Sequence, residues 1–198
     1  MKDMASEFSK NAFTIEAESI IATGEKMDWE AFAEAVRLLA NCERIASSGC
    51  GHSGIACMHF AHSMCCIERP ARFISPAEAI HGATGFLQEG DVLVLASRGG
   101  KTAELMPMID IAKKKGVSII SITENLSSPM AELSDVTLPM TITREADRFN
   151  AQGTSSFTAL SVIFDALQVA LMEETDYSGE QFALVHPGGA VGERLNKT

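Results

Sequence analysis

Two stretches of this chain are best suited to chemistry, Ser47-Ser48-Gly49-Cys50-Gly51-His52-Ser53-Gly54 and Ser97-Arg98-Gly99-Gly100-Lys101-Thr102, and the chemistry is anion binding. The first follows Arg44-Ile45-Ala46 and the second follows Asp91-Val92-Leu93-Val94-Leu95-Ala96. In an open α/β sheet, ligands bind beyond the carboxyl ends of the strands, at the turn that opens the next helix. Small residues there let the backbone approach an anion, and a helix N-terminus points N–H groups at it. Neither loop has the Gly-x-x-x-x-Gly-Lys-[Ser/Thr] spacing of a Walker loop. Gly49-x-Gly51-x-x-Gly54 has the glycine spacing of a dinucleotide fingerprint but still falls short of one. The stretch about 20 positions on reads Arg69-Pro70-Ala71-Arg72, with no acid for a ribose hydroxyl. Either loop alone is equally an ordinary Gly/Ser turn. Together they form a candidate phosphate cradle, with Arg98 and Lys101 as its local positive charge.

Such loops need elements to hold them. Helical spacing runs over 4–24 (Phe8, Phe13, Ile15, Ile20, Ile21) and over 29–41 (Trp29, Phe32, Val36, Leu39). Short apolar runs then alternate with helical stretches. The spacing predicts strands over 43–47, 71–75, 91–97, 117–123 and 136–141, and helices over 53–67, 76–82, 102–115, 127–133 and 153–175. Near-continuous apolar runs such as Val92-Leu93-Val94-Leu95 suit burial on both faces, hence a parallel sheet with helices above and below. Gly116 stops one helix and Pro129 starts another. The expected fold is α/β: one domain over 1–198, a three-layer α/β/α sandwich on a five-stranded parallel sheet. The helices within 1–41 need cover for an apolar face, either their own sheet or a second subunit.

Composition narrows the partners. The chain has 198 residues, 46% of them hydrophobic, and a net charge of −10, so it offers no basic stripe to a nucleic acid. Its basic run, Lys113-Lys114-Lys115, closes a helical pattern, where cations suit the helix dipole. Lys2, Asp3, Glu7 and Lys10 do not fit a signal peptide, and no apolar run reaches about 18 residues, so no membrane contact is expected. The five cysteines (Cys42, Cys50, Cys57, Cys65, Cys66) form an odd set without Cys-x-x-Cys, as expected of free thiols in the cytoplasm. His59, His62 and Cys66 fall at helical spacings, but the Met- and Cys-rich stretch around them reads better as a packed face than as a metal site.

Four features together resemble the SIS (sugar isomerase) domain, a flavodoxin-like fold. They are the strand–Ser/Gly loop–helix opening, the Ser97–Thr102 loop, the segment Pro76-Ala77-Glu78-Ala79-Ile80-His81-Gly82, and the tail Phe182-Ala183-Leu184-Val185-His186-Pro187-Gly188-Gly189-Ala190-Val191-Gly192. Glu145, nine residues before Thr154-Ser155-Ser156, adds a fifth. The resemblance is to the D-arabinose-5-phosphate isomerase branch and runs from about residue 10 to the C-terminus. Many members of that branch carry a CBS pair after this tail; the chain stops at Thr198, so an isomerase domain alone is expected.

The resemblance implies an aldose–ketose isomerase interconverting D-arabinose 5-phosphate and D-ribulose 5-phosphate through an enediolate, without metal or redox cofactor. Ser53, Ser97 and Thr102 match phosphate-holding hydroxyls, and Gly51, His52, Arg98, Gly99 and Lys101 complete the two loops. Glu104, Glu145, His81 and His186 match acid/base positions, with Glu145 or His81 as the carbon base and His186 for ring opening. His52 stands where the branch carries lysine, Gly99 replaces a serine, Lys101 replaces an acid, and Ala83 replaces an aspartate. These departures bear on which sugar phosphate is bound.

The residues also have plainer readings. Glu104 falls in a first helical turn, where any acid suits the dipole, and Glu145 lies between Arg144 and Arg148, as in a surface ion pair. His81 and His186 precede turn residues. Asp147-Arg148-Phe149-Asn150 is placed as a loop over the site. The resemblance further implies a homodimer or homotetramer, in which a C-terminal histidine reaches a neighbour's loops. A non-catalytic phosphosugar sensor and a different isomerase, such as a 6-phospho-3-hexuloisomerase, are the alternatives. Four acid/base positions together favour an enzyme, since a sensor needs only the clamp.

Overall fold

A computed structural model, in which residues 3–195 are described, joins the apolar runs into one parallel sheet. Its strands are β1 (Ile45–Gly49), β2 (Ala71–Phe73), β3 (Val92–Ala96), β4 (Ser118–Thr123) and β5 (Val136–Pro139), in the order β2-β1-β3-β4-β5. Every neighbouring pair is parallel, and Gly49 stands opposite Ala96 at the ends of β1 and β3. The winding reverses between those two strands, so the crevice beyond their carboxyl ends is where this topology holds a ligand.

Val92, Val94 and Ala96 face one helical layer, formed by α2 (Trp29–Asn41), α3 (Gly51–Cys66) and α7 (Ser155–Glu174). Leu93 and Leu95 face the other, formed by α4 (Pro76–Ala79), α5 (Met106–Lys114) and α6 (Pro129–Leu133). The alternation is the two-residue period of a strand, and the expected three-layer sandwich is borne out. In the first layer Phe60 and Phe164 stack with ring centroids 4.4 Å apart. By length and composition α7 could cross a membrane, yet its Leu160, Ile163, Phe164, Leu167 and Leu171 are buried in this core.

α1 (Asp3–Glu25) is held differently. Its buried residues are Ser19 and Thr23, whereas Phe8, Phe13 and Ile21 are exposed. Ser19 Oγ accepts the Thr143 N–H at 3.2 Å; Thr23 Oγ1 accepts the Thr141 N–H at 3.1 Å and donates to the Thr141 carbonyl at 2.8 Å. α1 thereby fixes the segment that leads to Glu145.

Several boundaries differ from the sequence reading. β1 covers 45–49 rather than 43–47, because its serines pair with Val94 and Leu95 of β3 and their hydroxyls are satisfied inside: Ser47 Oγ donates to the Cys57 carbonyl and Ser48 Oγ to the Ile74 carbonyl, both at 2.7 Å. The first loop therefore begins at Cys50. The helix expected over 76–82 ends at Ala79; Gly82 turns the chain at φ 105° and a 3₁₀ turn covers Ala83–Phe86. The helix expected over 102–115 opens as a 3₁₀ turn, Ala103–Leu105, before α5, with Pro107 in the first α-turn. Two further helices follow α7. Ser178 and Gln181 form a capping box for α8 (Gly179–Val185), and Gly189, at φ 70°, opens α9 (Gly189–Leu195).

Candidate active site

The two loops meet at the β1–β3 crevice because their strands are neighbours. Gly49 and Gly54 let α3 start against the strand ends: a Cβ on Gly54 would collide with the Gly49 carbonyl, and one on Gly49 would lie 3.0 Å from the Ala96 oxygen. Cys50 precedes α3 without capping it through its side chain. The N–H groups of Gly51, His52 and Ser53 come before the first intrahelical bond, from Gly54 to the Cys50 carbonyl, and they form the positive end of a 16-residue helix. In the second loop the hydroxyls of Ser97 and Thr102 are hydrogen-bonded at 2.8 Å, and Ser97 Oγ accepts the Gly100 N–H at 3.2 Å. Gly100 sits at φ 63° with Ser128 directly beneath it, whereas nothing lies near a Cβ on exposed Gly99. Lys101 is exposed and, among the described residues, has no ion pair.

Beside the first loop is a cavity of about 370 Å³, lined by Cys50, Gly51, Gly54, Ile55, Pro76 and Glu104 among others. That volume suits a small ligand. Glu104, on the 3₁₀ turn after the second loop, is the carboxylate in its wall. Burial, and then the Glu104 charge, push the Cys50 thiol above its usual range.

Glu145 is buried rather than at the surface, and its carboxylate pairs with neither Arg144 nor Arg148. Its Oε1 accepts from Arg98 Nη1 at 2.8 Å. Its Oε2 accepts the Thr154 N–H at 2.8 Å, the Thr154 hydroxyl at 3.1 Å and the Ser156 N–H at 3.2 Å, which caps the start of α7. Burial pushes the Glu145 carboxyl up, but bonds from Ser156 and Thr154 outweigh it and hold the group below the ordinary carboxylate range. Arg98, expected to offer free charge to a phosphate, is instead engaged: its Nε donates to Glu124 Oε2 at 2.8 Å as well. Glu124 went unnoticed in the sequence; an acid directly after a strand's carboxyl end was its only signal.

The histidines stand apart from this pair. His81 is exposed just beyond α4 and is not part of the cavity wall. His186 closes α8, stacks on Phe182 at 3.9 Å, and has Nδ1 3.0 Å from the Phe182 carbonyl. Donation at Nδ1 leaves Nε2 as the acceptor. His52 lies edge-on to Phe157, 3.4 Å from the Gln152 amide, and close beside Gly153. Gln152 lies two residues past the expected 147–150 loop, and Asp147 organises the stretch by accepting the N–H groups of Phe149, Ala151 and Gln152. Gln152 was not singled out from sequence. Among the described residues no three metal-ligating side chains cluster; His62 Nε2 and Cys66 Sγ lie 3.6 Å apart on α3.

Residues 38–170 match the family profile of the SIS domain. The chain belongs to the SIS domain family. Pseudomonas aeruginosa arabinose 5-phosphate isomerase KdsD is 39% identical to this SIS domain over 158 residues, covering 80% of the chain and 48% of that protein. Francisella tularensis arabinose 5-phosphate isomerase KdsD is 34% identical over 187 residues, covering 92% and 57%. The chain thus spans about half the length of the curated relatives it matches. A solved structure from Listeria monocytogenes superposes with a TM-score of 0.91 at 39% identity, covering 95% of this chain and 99% of that one. Escherichia coli CFT073 c3406, in complex with A5P, superposes with a TM-score of 0.88 at 28% identity, covering 94% and 100%.

Proposed function

We propose that this SIS domain is an aldose–ketose isomerase whose substrate pair is D-arabinose 5-phosphate and D-ribulose 5-phosphate. The observation that carries this reading is the cavity in which the uncapped N-terminus of α3 shares a wall with the Glu104 carboxylate, which among the described residues has no ion pair. Such a wall can hold a phosphate and move a proton beside it. The names of the curated relatives and the A5P-bound structure support the choice of sugar.

The phosphate rests on the Gly51–Ser53 N–H groups, the hydroxyls of Ser53, Ser97 and Thr102, the Gly99 backbone and Lys101. Glu104 removes the C2 proton of the open-chain aldose, the enediolate forms, and the proton returns at C1 to give the ketose. Glu145 is a weak choice for that base, since hydrogen bonds fill both its oxygens and hold it ionised. His81 and His186 move protons between the sugar oxygens and open the ring. In a homodimer or homotetramer His186 reaches a neighbour's loops; its attachment to Phe182 and the exposed apolar faces of α1, α2 and α7 support this. Five free cysteines support a cytoplasmic setting, and the net charge of −10 argues against a nucleic-acid partner. A second reading, isomerisation of another sugar phosphate, is favoured by His52 and Gly99, where the resemblance to the arabinose-5-phosphate isomerase branch implies lysine and serine.

The test is turnover of D-arabinose 5-phosphate by the purified protein. Glu104→Gln is expected to lower kcat by about 100-fold or more, with KM little changed. Tight binding of sugar phosphates with no turnover of any would contradict the enzyme and leave the sensor.

A further inference from the structure

Arg98 joins three stretches that are far apart in sequence. Its Nε donates to Glu124, the residue after β4, and its Nη1 donates to Glu145, which caps the start of α7. Its own carbonyl accepts the Thr123 hydroxyl at 2.9 Å and the Glu124 N–H at 3.0 Å, so the start of the second loop is anchored by backbone and side chain together. Glu124 Oε1 continues the chain of contacts to the Ile142 N–H at 3.4 Å. We propose that Arg98 is a positioning residue: it locks the second phosphate loop to the N-terminus of α7 through Glu124 and Glu145, and leaves Lys101 as the cation of that loop for the ligand.

The energetics follow from burial. The Glu145 side chain is 1% exposed, and a buried carboxylate is stable only when its lone pairs are matched. The α7 terminus serves Oε2, while Arg98 is the hydrogen-bond partner of Oε1. Without Arg98 that oxygen is left short of a donor, and both the α7 start and the loop lose a common anchor. A planar guanidinium can reach two carboxylates at once through different nitrogens; an ammonium on a lysine stem reaches one well. The side chain that occupies this position therefore governs loop geometry rather than proton transfer.

Amide hydrogen exchange in Arg98→Met and Arg98→Lys variants of the full chain tests this. In Arg98→Met, exchange is expected to rise about tenfold in the peptides covering 97–102 and 154–156, with a smaller rise in Arg98→Lys. Should Arg98→Met not fold, Glu124→Gln serves: exchange should rise in 97–102 and stay unchanged in 154–156. The kinetic arm rests on the proposed isomerase reading. There KM for D-arabinose 5-phosphate should rise about tenfold in Arg98→Met while kcat stays within about twofold. Unchanged exchange in both stretches, or a fall in kcat with KM unchanged, would overturn the proposal. If the wild-type protein does not turn over this sugar, the isomerase reading fails, and the exchange data alone decide the clamp.

Discussion

A carboxylate whose oxygens are already matched by donors has little basicity left for a substrate. Glu145 receives a guanidinium N–H from Arg98, and bonds from Ser156 and Thr154, side chain and backbone of each, hold it below the ordinary carboxylate range despite burial. Because its folded pKa is depressed, its contribution to stability is fully present above the unfolded carboxyl value of about 4.3 and is lost as pH falls through the folded value. Glu145→Gln should therefore be less stable than the wild-type protein by about 1–3 kcal/mol at neutral pH, with the gap narrowing on acidification. Thermal unfolding across pH checks this; a gap independent of pH would mean that the charge contributes nothing. The spacing from Glu145 to Thr154 was legible only through the resemblance to the family, and the capping of α7 by the Glu145 carboxylate was not read from it. The partner was not legible either. Arg98 follows β3 and lies 47 residues from Glu145, which follows β5, so only the folded sheet brings the two together.

Elements set the loops at the crevice, and glycines set how closely they pack. Gly100 and Gly99 are adjacent yet differ in what surrounds them: Gly100 has φ 63° with Ser128 against it, and Gly99 faces open space. Gly100→Ala should cost about 1–3 kcal/mol of stability and weaken phosphate binding, while Gly99→Ala leaves stability nearly unchanged. Denaturant titration of the two variants checks this; equal effects would contradict the loop geometry. The strongly apolar β3 and the periodic α2 were placed well from sequence, because one burial pattern dominated each. β1 was placed two residues early, because Ser47 and Ser48 look like loop residues until the Cys57 and Ile74 carbonyls are seen to receive them. Helices α8 and α9 were missed in a tail read only as a motif, although Ser178 and Gln181 at capping-box spacing mark the first of them.

At the scale of the molecule, the alternation of strands and helices made the doubly wound sheet legible, and its winding reversal puts both loops in one crevice. What covers α1 was not legible, because helical spacing marks an apolar face without naming its partner. Ser19 and Thr23 turn toward the chain, and Phe13, Trp29 and Val169 remain 81%, 61% and 61% exposed. The proposed association of subunits would bury such exposed apolar side chains. Light scattering is expected to give a mass of two or four times the 21.2 kDa chain, and Phe13→Lys to lower it; a 21.2 kDa species at micromolar concentration would contradict shared active sites. In the proposed reaction the crevice moves a proton between adjacent sugar carbons. That step is tested most directly by following D-arabinose 5-phosphate with the protein in deuterium oxide by proton NMR. D-Ribulose 5-phosphate is expected to appear and deuterium to enter the sugar at C1 or C2, with both lost in Glu104→Gln. A sugar phosphate that binds but neither isomerises nor exchanges its C2 proton would contradict it.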